Sequence, residues 1–191
     1  KPITKTLEEA NDLVALASKK QLTLQVGHVE RFNAAIIKLQ SLCESPRFIE
    51  CQRMGPFSPR IQDVGVVQDL MIHDIDIVLS LVKSPIKRVD AVGIPVLTEN
   101  EDIANAHIVF ENGCIANLTA SRISDEKIRK LRIFEMDKYC SLDYANQAIT
   151  LRRKSNLEEK IIQEELEVHK AEPLRLELEH FITCINERRK P

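Results

Sequence analysis

Beyond Val82 the chain is a succession of short segments rich in β-branched and apolar residues. Val89 to Val96, Ala104 to Phe110, Cys114 to Ser121, Leu131 to Met136, Cys140 to Tyr144 and Ala148 to Arg152 each read as a strand. The links between them are short, and Asn112-Gly113 is a strong two-residue hairpin signal. Parallel neighbours need long crossovers, so this run predicts an α+β fold built on a large, mainly antiparallel open sheet. Helices are few, enough to cover one face of it. Ala104 to Phe110 and Cys114 to Ala120 read as apolar on both faces, so the other face is expected to pack against a second subunit. Lys154 to Ala171 is charge-rich and reads as a solvated strand and loop. Pro173 opens a final helix, with Leu174, Leu178, Phe181, Ile182 and Ile185 on one face.

The start of the chain has a different texture. Thr6 and Glu9 form a T-x-x-E capping box, so a helix starts near Leu7, and Lys19 and Lys20 in its last turn suit the helix dipole. Leu22, Leu24 and Val26 alternate with Thr23 and Gln25, which predicts a short strand ending at Gly27-His28. A second helix follows Asn33 and is stopped by Pro46. Arg47 to Arg53 reads as a strand, and Gly55 to Asp63 as a loop. A helix followed by a strand looks like the tail of a βαβ unit whose earlier strands are missing. A chain that opens on Lys-Pro rather than Met fits a fragment of a longer protein.

Asp69 to Val82, DLMIHDIDIVLSLV, is the segment with the clearest chemistry. On an α-helix Asp69, His73, Asp76 and Ser80 fall in one narrow polar stripe on an otherwise apolar cylinder. Such a stripe faces a polar partner, a cleft or a ligand, because unpaired buried polar groups are costly. Asp69 and His73 are spaced so that their side chains can meet, and an imidazole beside a carboxylate is an acid/base device near neutral pH. The plainer alternative is an internal Asp–His pair that only orients the helix.

Composition narrows the classes. A net charge of −2 and a pI near 6.3 provide no global field for nucleic acid or anionic membrane, and aromatics are only 4%. No apolar run approaches a membrane span and no signal peptide opens the chain. The five cysteines are scattered without a CxxC pair, which fits free thiols in the cytoplasm rather than a disulfide framework or zinc knuckle. The five glycines are unclustered, so no GxGxxG turn exists to hold dinucleotide phosphates. Residues left as candidates are Lys1, the Gly27-to-Asn33 segment, Arg53, Arg60 and the Asp69/His73 pair.

Three landmarks, in order, resemble the Gfo/Idh/MocA family of nicotinamide-dependent sugar oxidoreductases. Lys1-Pro2 looks like the end of that family's Glu-Lys-Pro motif. Val26 to Ala35, VGHVERFNAA, looks like its crossing between domains. Gly65 to Asp76, GVVQDLMIHDID, looks like its G-G-x-x-x-D-x-x-x-H-x-x-D helix, with Val66 in place of the second glycine. The resemblance implies that residues 1–28 are the residual C-terminal part of a Rossmann dinucleotide-binding domain and 29–191 a substrate-binding and oligomerisation domain. It implies NAD or NADP as cofactor, bound mainly by a half outside this chain. GHVERFN and MGPFSPRIQDVGVVQDL are similar to the branch that oxidises the 3-hydroxyl of UDP-N-acetylglucosamine or its uronic acid.

On that resemblance the catalytic residues are Lys1, His73 and Asp69. His73 takes the hydroxyl proton, Asp69 orients the ring or binds substrate, and Lys1 stabilises the developing alkoxide or acts as the base itself. Arg31, Asn33 and Arg60 are expected at the nucleotide sugar, and His28, with Lys1, near the cofactor. The expected partner is a second copy of the chain, as a homodimer or homotetramer through the sheet. Read from spacing alone, Lys1 is an ordinary exposed lysine, and Arg31 and Arg60 are surface ion pairs. Rival readings are Asp69 and His73 as two ligands of a metal, a non-catalytic sheet scaffold, and a same-family enzyme for an inositol, free sugar or tetrapyrrole.

Overall fold

The computed structural model describes residues 1–59, 64–155 and 160–191. Helix α1 (Leu7–Lys19) and helix α2 (Ala34–Leu42) precede strand β1 (Phe48–Met54) and helix α3 (Ile72–Leu81). Seven strands follow: β2 (Ile86–Ile94), β3 (Ile103–Phe110), β4 (Ile115–Ser121), β5 (Ile128–Phe134), β6 (Lys138–Asp143), β7 (Ala148–Lys154) and β8 (Ile161–Leu166). Helix α4 (Pro173–Asn186) ends the chain with Pro173 in its first turn. The strands form one eight-stranded sheet in the order β2-β3-β4-β1-β5-β6-β7-β8. Every neighbouring pair is antiparallel except β1 and β4. β1 inserts between β4 and β5, so the earliest strand of the chain becomes the middle of the sheet.

The local signals act as elementary chemistry requires. The Thr6 side chain accepts from the Glu9 N–H and the Glu9 carboxylate accepts from the Thr6 N–H, closing the capping box of α1. The Asn33 side chain accepts from the Ala35 N–H and caps α2. Gly113 adopts φ +83° in the β3–β4 hairpin, a conformation glycine takes without penalty. Val66, where the family pattern has a second glycine, is fully buried with ordinary helical angles and needs no glycine. A Cβ on Gly65 beside it would meet the Glu101 carboxylate, which would have to swing aside.

Two expectations are corrected. Leu22 to Val26 is not a strand: no strand among the described residues pairs with it. Leu22 and Leu24 are exposed, and no residue of α1 is buried. The second correction concerns β3 and β4, whose outer face is mixed: Ile103, Val109 and Ile115 lie there beside Asn105, His107, Asn117 and Thr119. Ala104, Ala106, Ile108, Ala116, Leu118 and Ala120 point into the core under α2 and α3. The opposite face carries a polar row along the register, His107, Asn117, Glu50, Arg132, Ser141 and Thr150. Glu50 and Arg132 pair across it at 3.1 Å, and His107 Nδ1 meets Asn117 Oδ1 at 2.7 Å. A shorter apolar band of Phe48, Phe134 and Tyr139 runs beside that row, with ring centroids 5.7 and 4.7 Å apart. All five cysteines are free thiols. Among the described residues, no helix is long and apolar enough to cross a membrane.

Candidate active site

The polar helix begins on a π turn, Val67–Met71, in which the Ile72 N–H reaches back to the Val67 carbonyl. α-Helical spacing therefore does not run through Asp69. No hydrogen bond joins Asp69 to His73 among the described residues. Instead Asp69 meets Lys1, 68 positions away in sequence: Lys1 Nζ donates to the Asp69 carbonyl oxygen and lies 3.7 Å from its carboxylate. The expected Asp–His pair is thus replaced by an Asp–Lys pair, and Asp69 does not orient the imidazole. Lys1 is not an exposed chain-end lysine: its side chain is 17% exposed.

His73 sits one turn further along α3 with a buried Nδ1 that has no hydrogen-bond partner among the described residues. Burial first, and then the positive charges of Arg53, Lys1, His28 and Arg129, push its pKa down to about 3. The ring is therefore neutral at working pH. Burial also lowers the Lys1 pKa; Asp69 opposes that shift, and Arg53 adds to it.

Beneath these groups lies a buried ion network. Arg53, 2% exposed, forms a two-pronged pair with Asp74 at 3.0 and 2.9 Å, reaches Glu30 at 3.2 Å and lies 4.9 Å over the Tyr144 ring. Burial alone would lower the Arg53 pKa, but Asp74, Tyr144 and Glu30 overrule it and hold the guanidinium charged. Arg53 lies on the same strand face as the buried Ile49 and Cys51, so parity alone marks it as an arginine committed to the core. Its partners Asp74 and Glu30 carry no such sign.

The remaining expected site residues fall in different places. Arg31 donates two 2.7 Å hydrogen bonds to Asp76, and His28 Nδ1 stands 3.5 Å from the same carboxylate without hydrogen-bond geometry. Asn33 is 3% exposed, capping α2 and donating to the Tyr144 carbonyl. Ser80 donates to the Ile77 carbonyl and accepts from Gln40. Arg60 lies outside the described residues.

A cavity of about 290 Å³ opens beside Asp69, lined by Arg53, Leu70, Arg122, Lys127 and Arg129 among others. Its wall is cationic, with Asp69 the one acid among the described lining residues, and Asp69 faces Lys1. No group of three or more His, Cys, Asp or Glu among the described residues is arranged to hold a metal ion.

Residues 44–135 match the C-terminal domain of the GFO/IDH/MocA family. It is 37% identical over 190 residues to UDP-N-acetylglucosamine 3-dehydrogenase of Acidithiobacillus ferrooxidans, a match covering 97% of this chain and 61% of that protein. The solved structure of that enzyme superposes with a TM-score of 0.90 at 36% identity, covering 99% of this chain and 61% of the other. The chain thus spans about three fifths of that relative's length. The uncharacterised oxidoreductase YrbE of Bacillus subtilis is 31% identical over 64% of this chain and 40% of its own length. Levoglucosan dehydrogenase, solved in complex with NADH, shares the fold at a TM-score of 0.84 and 15% identity, covering all of this chain and 64% of its own.

Proposed function

We propose that this chain is the substrate-handling part of an NAD(P)-dependent oxidoreductase that oxidises the 3-hydroxyl of a UDP-N-acetyl amino sugar. The observation that carries the reading is the meeting of Lys1 with Asp69 next to His73, at the edge of a cation-lined cavity. The 37% identity to a UDP-N-acetylglucosamine 3-dehydrogenase supports the choice of substrate.

His73, neutral at working pH, is the group we assign to accept the hydroxyl proton. Lys1, its side chain largely buried, faces the developing alkoxide, where a fixed positive charge counts for more than it would in water. Asp69 holds Lys1 in place. A bound nicotinamide supplies the hydride acceptor. These residues fit the reacting end of such a cofactor: two buried imidazole nitrogens, on His28 and His73, are unpartnered. They do not fit its phosphates, since the five glycines form no phosphate-binding turn. We assign that task to a nucleotide-binding half outside these 191 residues, with residues 1–28 its C-terminal part. That no residue of α1 is buried and that Leu22 and Leu24 are exposed support this division.

The test is to give the complete enzyme NAD or NADP and a panel of UDP-sugars, free sugars and inositols, and to follow the reduced cofactor. Turnover with UDP-N-acetylglucosamine or its derivatives is expected. Turnover only on inositols or free sugars would remove the nucleotide-sugar assignment, and no hydride transfer from any of them would leave a scaffold.

Assembly is a second part of the reading. The half-buried Phe48, Phe134 and Tyr139 band lies on a sheet face without a covering helix, and a two-fold pairing of such faces buries it. Sedimentation equilibrium at about 100 µM, a concentration that populates dimers of micromolar affinity, is expected to give a dimer or tetramer. A strict monomer would refute the pairing.

A further inference from the structure

Arg53 on β1 and Arg129 on β5 are direct partners in the antiparallel ladder. Like charges placed opposite each other destabilise a sheet. Both side chains lie on the helix-covered face and both line the cavity beside Asp69. Their situations differ. Arg53 is neutralised by Asp74 and Glu30. Arg129 has no hydrogen bond or ion pair from its guanidinium to any described residue, and neither does the Lys127 ammonium two positions before it. Arg122, on the same wall, is bound to the buried Asp102 at 2.7 Å. Among the described residues the cavity therefore keeps two cations without a carboxylate, one of them the cross-strand neighbour of another arginine. Such an arrangement raises the energy of the empty site and lowers it once an anion enters.

Resting on the dehydrogenase reading above, we infer that Lys127 and Arg129 bind the diphosphate bridge of the nucleotide-linked sugar inside this cavity. Arginine suits a phosphate because its planar fork donates two parallel hydrogen bonds, and lysine adds a mobile point charge. About 290 Å³ is at the small end of ligand pockets, room for a diphosphate or one sugar ring rather than a whole nucleotide sugar. The diphosphate placed here puts the attached sugar toward Asp69 and Lys1. Arg31 and Asn33 then have no part in anion binding, since Asp76 engages the first and the cap of α2 the second.

A nicotinamide dinucleotide also carries a diphosphate, so the test separates the two sources. Calorimetry on this chain is expected to show binding of UDP and of inorganic pyrophosphate with Kd below about 1 mM, and none of uridine. Arg129→Ala is expected to weaken UDP binding about 10- to 100-fold, the usual loss for a charge-assisted hydrogen bond, with Arg129→Lys intermediate and Lys127→Ala weaker in the same direction. In the complete enzyme the same variants raise KM for the UDP-sugar and leave KM for the dinucleotide unchanged. The melting temperature of Arg129→Ala stays equal or rises, because a repulsion is removed; a purely structural arginine would lower it. Absence of UDP binding by the wild-type chain, equal affinity in both alanine variants, or a rise in KM for the dinucleotide instead would each overturn the assignment. Loss of UDP binding in the variants of a protein that oxidises no sugar would instead sustain the anion site and sink the dehydrogenase reading.

Discussion

Arg53→Met is expected to destabilise the domain by about 3–5 kcal/mol, the cost of leaving one member of a buried ion pair without its partner. Asp74 is 2% exposed and receives both prongs of the guanidinium. Burial already raises the Asp74 pKa, and Arg53 is the main opposing influence. Without Arg53 the carboxyl must take up a proton or draw in water, and Glu30 loses a donor as well. Urea denaturation of the variant measures the loss. The double variant Arg53→Met with Asp74→Leu is expected to recover most of it, since replacing both partners of a buried pair by apolar groups is often neutral. A single-variant loss under about 1 kcal/mol, as for a surface pair, would show that the network does not hold β1 to α3.

His73→Ala in the complete enzyme is expected to lower turnover by about 10²- to 10⁴-fold with the fold intact, the range for loss of a general base. Lys1→Ala is expected to act in the same sense by removing charge from the developing alkoxide. Near-normal turnover of both variants on the natural substrate would refute the assignment. His73 also leaves a mark on stability. Its pKa is about 3 in the folded chain against an ordinary 6.5. The unfolded chain therefore binds more protons between these values, so this group makes stability fall as pH drops from about 6.5 toward 3 and has no effect above that window. The fall is moderated because the imidazole is only half-buried. Urea midpoints between about pH 7 and 4 are expected to decline less in His73→Gln than in the wild type. Parallel declines would mean that the ring is not held neutral.

The parts of this molecule that were legible in its sequence are those decided within a few residues. The capping box at Thr6 and Glu9, the Asn33 cap, the Asn112-Gly113 hairpin and the alternation along β3 to β7 all act through neighbours in the chain. The segment from Asp69 to Val82 was recognisable as a polar line on an apolar helix, and with it His73. Pairing was not legible. That β1 runs parallel to β4 and opposes Arg53 to Arg129 follows from where a strand inserts in the sheet, and strand parity alone does not disclose it. The π turn before α3 moved Asp69 off the helical register and gave it to Lys1 rather than His73. Leu22 to Val26 had the alternation of a strand but no partner, and a strand exists only as a pair. Charged side chains are where local pattern says least. A carboxylate such as Asp74, Asp76 or Asp69 accepts whichever cation the tertiary fold brings within hydrogen-bond reach, so the same residue type became a buried anchor, a clamp for Arg31 and a holder of Lys1.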